Sequence, residues 1–282
     1  MTLHSIDDCV KLNNGVEMPS LGLGVFKMDD GQAVIDATTY AVNVGYRLID
    51  TASIYNNEKG VGAAIKQCAI PREKLFITSK LWNDSQGYDL TLKAFEKTMS
   101  DLQLNYLDLY LIHWPLPKNN TYIATWKALE TLYKEGRIRA IGVSNFEPEW
   151  IQNIINECDI VPMVNQVEFH PYFQQKELRD FCEANGVQIQ AWAPLARGRI
   201  FEDETLIKLA GKYGKSVAQF VIRWELQCKV ATIPKSATRE RMVSNADVFD
   251  FEIDEQDMKV MEGLNRNMRI GPNPHEFHKI KL

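Results

Sequence analysis

Leu107-Asp-Leu-Tyr-Leu-Ile-His113-Trp-Pro115 is an apolar run that ends on an imidazole, and two earlier runs end in a similar way. Tyr46-Arg-Leu-Ile-Asp50-Thr-Ala-Ser-Ile-Tyr55 passes through a carboxylate to a phenol, and Leu75-Phe-Ile-Thr-Ser-Lys80 stops at an ammonium. Short apolar runs of this kind read as strands covered on both faces. A single titratable residue after one strand signifies little. Asp50, Tyr55, Lys80 and His113 at matching ends of three strands read as an active site built on one face of a sheet or barrel.

Working outward, further strands are expected at Leu21–Phe26, Ala140–Ser144, Val164–His170, Val187–Trp192 and Ala231–Pro234. Helical spacing fills the gaps between strands. Val34, Ala37, Ala41 and Val44 repeat on one face and stop at Gly45; Trp126, Leu129, Leu132 and Tyr133 do the same before Gly136. Pro148 suits a first helical turn, and Asn185-Gly186 closes the following helix. Two helices, about Glu204–Tyr213 and Ser216–Gln227, precede the last strand, one more than a simple repeat needs. Repeated βα units in 282 residues point to a single domain over residues 1–282, an α/β (β/α)₈ TIM barrel with extra helices. Before the first strand, Cys9-Val-Lys-Leu and Val16-Glu-Met flank Asn13-Asn14-Gly15, which reads as an N-terminal β-hairpin able to plug the barrel's bottom. The tail from Asn265 to Leu282, rich in Gly, Pro, His and Asn, is a loop or lid candidate.

Composition narrows the partners. The net charge is −5 with no long basic run, so neither nucleic acid nor an anionic membrane is an expected partner. The five cysteines, Cys9, Cys68, Cys158, Cys182 and Cys228, are odd in number and show no C-x-x-C pair. This argues for a reducing compartment and against a disulfide framework or a zinc site. The N-terminus shows neither a basic stretch nor an apolar one, and no run approaches the length of a membrane span. A soluble, cytoplasmic protein without a metal is expected.

The four strand-end residues suggest proton transfer. A phenol has a pKa near 10, so Tyr55 acts as a general acid only beside a cation; Lys80 is that candidate, and Asp50 is placed to hold it. His113 would orient a substrate carbonyl. Taken singly, the same residues read as a surface Tyr, a strand-end Lys and a core His. For a phosphate, Gly22-Leu-Gly24 lacks a third glycine, and Gly60-Val-Gly62 falls inside a helix, where its glycines serve close packing. The better anion site is Ile233-Pro-Lys235-Ser236-Ala-Thr238-Arg-Glu-Arg241, which follows the last strand and opens a helix. Trp192 is placed to stack on a planar ring or to pack in the core. Phe26, Trp82 and Trp114 follow strand ends and can form an aromatic substrate pocket. Ser144, Asn145 and Gln166 either bind a carboxamide or cap helices. His4, His170, His275 and His278 show no metal spacing.

These residues resemble the aldo-keto reductase family over nearly the whole chain. The signatures are Gly45-Tyr-Arg-Leu-Ile-Asp-Thr-Ala-Ser-Ile-Tyr-Asn-Asn-Glu58, Met163-Val-Asn-Gln-Val-Glu168 and Ile233-Pro-Lys-Ser236, joined by Leu111-Ile-His-Trp-Pro115 and Ile141-Gly-Val-Ser-Asn-Phe146. The resemblance implies NADPH-dependent reduction of aldehydes and ketones, with Asp50, Tyr55, Lys80 and His113 as the catalytic tetrad and Tyr55 as the acid. It further implies that Ser144, Asn145 and Gln166 hold the nicotinamide carboxamide, with Trp192 and Leu195 beside the cofactor. Lys235, Ser236 and Arg241 would take the 2′-phosphate, favouring NADPH over NADH, and Asn245 the adenine. Ser244 stands where many members carry Glu, which implies a looser clasp on the adenine side. The pattern is closest to small microbial and protozoan members that act on methylglyoxal, 2,5-diketogluconate or a prostaglandin endoperoxide. A reactive small carbonyl such as methylglyoxal is the leading substrate, a prostaglandin F synthase or diketo-sugar-acid reductase the alternative, and an NADPH-binding sensor or structural protein the alternative of another class. A monomer is expected on the same ground.

Overall fold

A computed structural model describes residues 3–278. The N-terminal hairpin pairs β1 (Cys9–Lys11) with β2 (Glu17–Pro19) antiparallel. Its loop spans three residues: Leu12 N–H donates to Val16 O at 2.9 Å, and Gly15 N–H to Leu12 O at 2.9 Å. Asn13 Nδ2 donates to Pro162 O at 3.1 Å and Asn14 Nδ2 to Arg139 O at 2.9 Å. Those carbonyls lie at strand beginnings, so the hairpin covers the N-terminal end of the barrel, with Leu12 and Met18 buried.

The barrel is built from β3 (Gly22–Gly24), β4 (Leu48–Asp50), β5 (Phe76–Leu81), β6 (Leu107–Ile112), β7 (Ile138–Ser144), β8 (Val164–Glu168), β9 (Gln188–Trp192) and β10 (Ala231–Thr232). Each pairs in parallel with the next, and the bridges Leu21–Thr232 and Gly24–Lys235 bring the first strand beside the last. The result is a nearly closed (β/α)₈ TIM barrel. Residues of β5, β6 and β8 are buried without exception, which is why their sequences do not alternate. The last strand is two residues long, shorter than the apolar run suggests, since Pro234 has no N–H to give a ladder.

The outer layer comprises α1 (Gln32–Val44), α2 (Glu58–Gln67), α3 (Tyr88–Leu102), α4 (Tyr122–Lys134), α5 (Pro148–Glu157), α6 (Lys176–Ala184), α7 (Glu204–Lys212), α8 (Val217–Gln227), α9 (Arg239–Ala246) and α10 (Glu255–Glu262). Local chemistry sets their limits. Pro148 opens α5, Asp203 caps α7 by accepting from Thr205 and Leu206 N–H, and Ser216 with Gln219 forms a capping box on α8. On α3, Phe95, Met99 and Leu102 are buried, each worth about 1.5–3 kcal/mol. The glycines of α2 serve contact: a Cβ on Gly62 would lie 2.2 Å from Leu102 O, so α2 and α3 could not approach as they do.

Candidate active site

Strand parity decides which side chains enter the barrel. On β5, Lys80 points inward while Ser79 points out to Glu58, its hydroxyl donating to that carboxylate at 2.6 Å. On β8, Gln166 points inward. Asp50 ends β4, and the one-turn helix Ser53–Tyr55 that follows carries Tyr55 back over the barrel mouth. The four strand-end residues thus meet. Lys80 Nζ lies 2.5 Å from Asp50 Oδ1, 2.8 Å from Thr51 O and 3.4 Å from Tyr55 Oη. Asp50 Oδ2 accepts from Gln166 Nε2 at 2.7 Å. The His113 ring stands edge-on to Tyr55 with centroids 5.8 Å apart.

The electrostatics follow from burial. Lys80 is fully buried; this pushes its ammonium down and the Asp50 carboxyl up, while their mutual contact opposes both shifts. Burial, with the Lys80 charge adding to it, holds His113 well below 6.5, so its imidazole is neutral at neutral pH. The phenol behaves differently from the sequence expectation, in which Lys80 lowers it. Burial, with the Asp50 charge adding, raises Tyr55 well above 10. Asp50 at 2.5 Å neutralises most of the charge Lys80 would offer, and the phenol stands further away, at 3.4 Å. Tyr55 therefore keeps its proton and is poised to donate it where charge develops.

An aromatic wall surrounds these groups. Phe26 is 42% exposed at the mouth, its ring 4.9 Å from Tyr55. Trp82 lies 5.1 Å from His113, and Trp114 is buried beside it. Phe277, from the C-terminal tail, packs 4.3 Å from Trp114 and 6.3 Å from Trp82. The tail's position as a cover is thus seen for its described residues; 279–282 lie outside them.

The carboxamide candidates are also brought together. Ser144 Oγ donates to Gln166 O at 2.7 Å. Asn145, at φ 63°, donates to His113 O at 2.9 Å and to Ser144 Oγ at 3.1 Å, and accepts from Trp192 Nε1 at 2.9 Å. Gln166 spends both amide hydrogens, on Asp50 and on Gln190 Oε1 at 2.8 Å, which leaves its oxygen as an acceptor. Leu195 opens the short turn Ala196–Gly198 after β9, where Ala193, Ala196 and Arg197 all have positive φ.

The anion candidates lie apart, beyond β10. Ser236 is buried and its hydroxyl donates to Thr238 O at 3.1 Å, shaping the turn into α9. Lys235 and Arg241 are exposed, and among the described residues neither forms an ion pair. Asn245 is buried, and Ser244 is half-buried next to it. Two unneutralised cations at a helix N-terminus fit a phosphate chemically.

Three contributors are not singled out as site residues by the sequence. Gln190 and Glu168 are polar residues at inward positions of strands, a parity cue that could have marked them. Phe277 is an aromatic within a polar tail. Glu168 accepts Ile270 N–H at 2.6 Å and Gly271 N–H at 2.8 Å, and His170 Nε2 lies 3.0 Å from it.

Comparison with known proteins identifies the family. The aldo/keto reductase family model matches residues 20–266. The chain is 54% identical over 273 residues to glyoxal reductase of Bacillus subtilis, covering 97% of this chain and 98% of that protein. It is 49% identical to the 9,11-endoperoxide prostaglandin H2 reductase of Trypanosoma cruzi, covering 96% of each. Among solved structures, a mutant of Gox0644 in complex with NADPH superimposes with a TM-score of 0.92 at 43% identity, covering 95% of this chain and 98% of that one.

Proposed function

The chain belongs to the aldo/keto reductase family, and we propose that it reduces small reactive carbonyls, methylglyoxal-like dicarbonyls foremost, with NADPH and with Tyr55 as the proton donor. The observation that carries this reading is the buried Asp50–Lys80 pair set 3.4 Å from a protonated phenol, beside a neutral imidazole.

The chain's residues divide the work. Asp50 fixes Lys80 through the 2.5 Å contact, and Thr51 O takes a second ammonium proton. The remaining direction points to Tyr55 Oη, where the ammonium stabilises phenolate character as the proton leaves. The neutral His113 ring donates to a carbonyl oxygen and turns it toward Tyr55. Phe26, Trp82, Trp114 and Phe277 exclude water, which strengthens each of these interactions. Lys235, Ser236, Arg241 and Asn245 would hold the adenosine 2′-phosphate side, and Ser144, Asn145, Gln166, Trp192 and Leu195 the nicotinamide side. Bound there, NADPH would supply the hydride that the carbonyl carbon accepts. Hydride and proton together convert the carbonyl to an alcohol.

The substrate class is supported by the glyoxal reductase at 54% identity and by a pocket walled with aromatic rings. The endoperoxide reductase at 49% identity supports a second reading, a bulkier peroxide substrate admitted past the exposed Phe26. Loss of NADPH absorbance over a panel of methylglyoxal, phenylglyoxal, a nitrobenzaldehyde, a diketo sugar acid and a prostaglandin endoperoxide tests both. We expect methylglyoxal or phenylglyoxal to give the highest kcat/KM, and Tyr55→Phe to lose turnover by about a hundredfold or more while still binding NADPH. Near-normal turnover in Tyr55→Phe removes the assigned acid. Tight NADPH binding without turnover of any panel member would favour a sensing role.

A further inference from the structure

Glu168 is a fully buried carboxylate at the inward end of β8, and no part of the proton-transfer apparatus uses it. Its partners come from the far end of the chain. Oε1 accepts Ile270 N–H at 2.6 Å and faces His170 Nε2 at 3.0 Å; Oε2 accepts Gly271 N–H at 2.8 Å. Both carboxylate oxygens are thus occupied by donors, two of them from the backbone of a segment without helix or strand.

The same segment crosses the top of the barrel. β8 and β9 pair Glu168 with Trp192, and Gly271 lies against the tip of that indole. A Cβ on Gly271 would sit 2.3 Å from Trp192 Cη2 and 2.9 Å from Glu168 Oε2, so only glycine fits there. Beyond Gly271 the chain runs to Phe277 on Trp114 and Trp82. Other anchors lie at the rim: Arg269 contacts Glu147 at 3.3 Å, and its guanidinium lies 4.5 Å from the Phe173 ring centre. Charge-assisted bonds to backbone N–H donors are the stronger kind of attachment.

We propose that Glu168 is a positioning residue, a latch that fixes the 264–278 strap against Trp192 and thereby sets Phe277 as the outer wall of the pocket. The carboxylate suits the task because it only accepts, and three donors face it. An amide in its place turns an N–H₂ toward at least one of those donors, whichever way it is oriented. Burial by itself would raise the Glu168 carboxyl; the His170, Ile270 and Gly271 hydrogen bonds outweigh it and hold the group below its usual range, as an ionised latch requires.

Hydrogen exchange on the purified protein tests the latch without any turnover. In Glu168→Gln we expect the Ile270 and Gly271 amides to exchange about a hundredfold faster, with amides of β6 and β7 unchanged. Unchanged protection at Ile270 and Gly271 in the folded variant overturns the proposal. Should Glu168→Gln not fold, Gly271→Ala decides by the same two readings, since it displaces the strap and leaves the buried carboxylate intact. The consequence for substrate rests on the reductase reading. There, strap release is expected to raise KM for methylglyoxal about tenfold with kcat little changed. An unchanged KM with a released strap overturns the role of Phe277 as a wall. Absence of turnover in the unaltered protein bears only on the reductase reading.

Discussion

The barrel carries a buried carboxylate–cation cluster toward each of its ends, and the two are built differently. Near the N-terminal end, Asp108 receives Arg72 at 2.6 Å, Arg139 at 2.7 Å and the Ile77 N–H at 2.9 Å. The arginine side chains remain 20% and 43% exposed, so water reaches part of each of them. Near the C-terminal end, Lys80 and Asp50 are almost wholly enclosed, and the ammonium spends one direction on a phenol rather than on an acceptor with a full charge. His113 Nδ1 there is buried and has no hydrogen-bond partner among the described residues. The first cluster joins β5, β6 and β7 to the short turn at Arg72, with Arg72 Nε buried and unpartnered among the described residues. The second, enclosed cluster turns its ammonium to a phenol at the C-terminal face, where such barrels place their sites.

The sharpest way to break this contrast is to remove one partner at each end. Lys80→Met leaves Asp50 buried and unpaired. It should lower stability by about 3–5 kcal/mol and turnover by about a thousandfold, read by denaturant unfolding and by NADPH absorbance. Asp108→Asn should lower stability by about 2–3 kcal/mol and leave kcat and KM of the folded fraction as they were. Comparable loss of kcat in both variants would mean that the two ends are not functionally distinct.

Arg241→Ala should have a smaller effect, confined to the cofactor. NADPH binding, followed by fluorescence quenching, should weaken by about tenfold or more, with NADH binding nearly unchanged. Equal weakening of both dinucleotides would place Arg241 away from the 2′-phosphate.

These clusters differ also in how far the sequence reveals them. Asp50, Lys80 and His113 are legible because each ends an apolar strand, and a barrel gathers strand ends by topology alone. The hairpin, the helices stopping at Gly45 and Gly136, and the turn at Lys235-Ser236 that leads into α9 are legible from local turn and capping chemistry. Glu168 is visible within its motif, but its role depends on amides 102 and 103 residues further along, and no local pattern encodes that pairing. Gln190 offers only the parity cue, since its part in the site is to accept a hydrogen bond from Gln166. The direction of the Tyr55 shift is hidden more deeply. Burial is a collective property of the folded pocket, and it outweighs a nearby lysine whose charge is already compensated.

That shift gives the prediction of smallest amplitude and most direct bearing on the C-terminal cluster. The folded pKa of His113 lies below 6.5, so as pH falls past about 6.5 the unfolded chain takes up a proton that the folded one refuses. Stability contributed by a neutral His113 is thus lost on acidification, until the folded imidazole also protonates. Tyr55 works in the opposite sense. Its folded pKa lies above 10, so above about pH 10 the unfolded chain gives up a proton that the folded one keeps, and stability falls as pH rises. Between these limits neither group changes charge, and kcat should show no limb from either. Thermal unfolding against pH should therefore lose part of its acid slope in His113→Asn. A tyrosinate absorbance that grows in at about pH 8–9 in the native protein, and is missing from Tyr55→Phe, would show that Lys80 lowers the phenol after all. The C-terminal cluster would then be an activated acid in its resting state, rather than one that yields its proton only to developing charge.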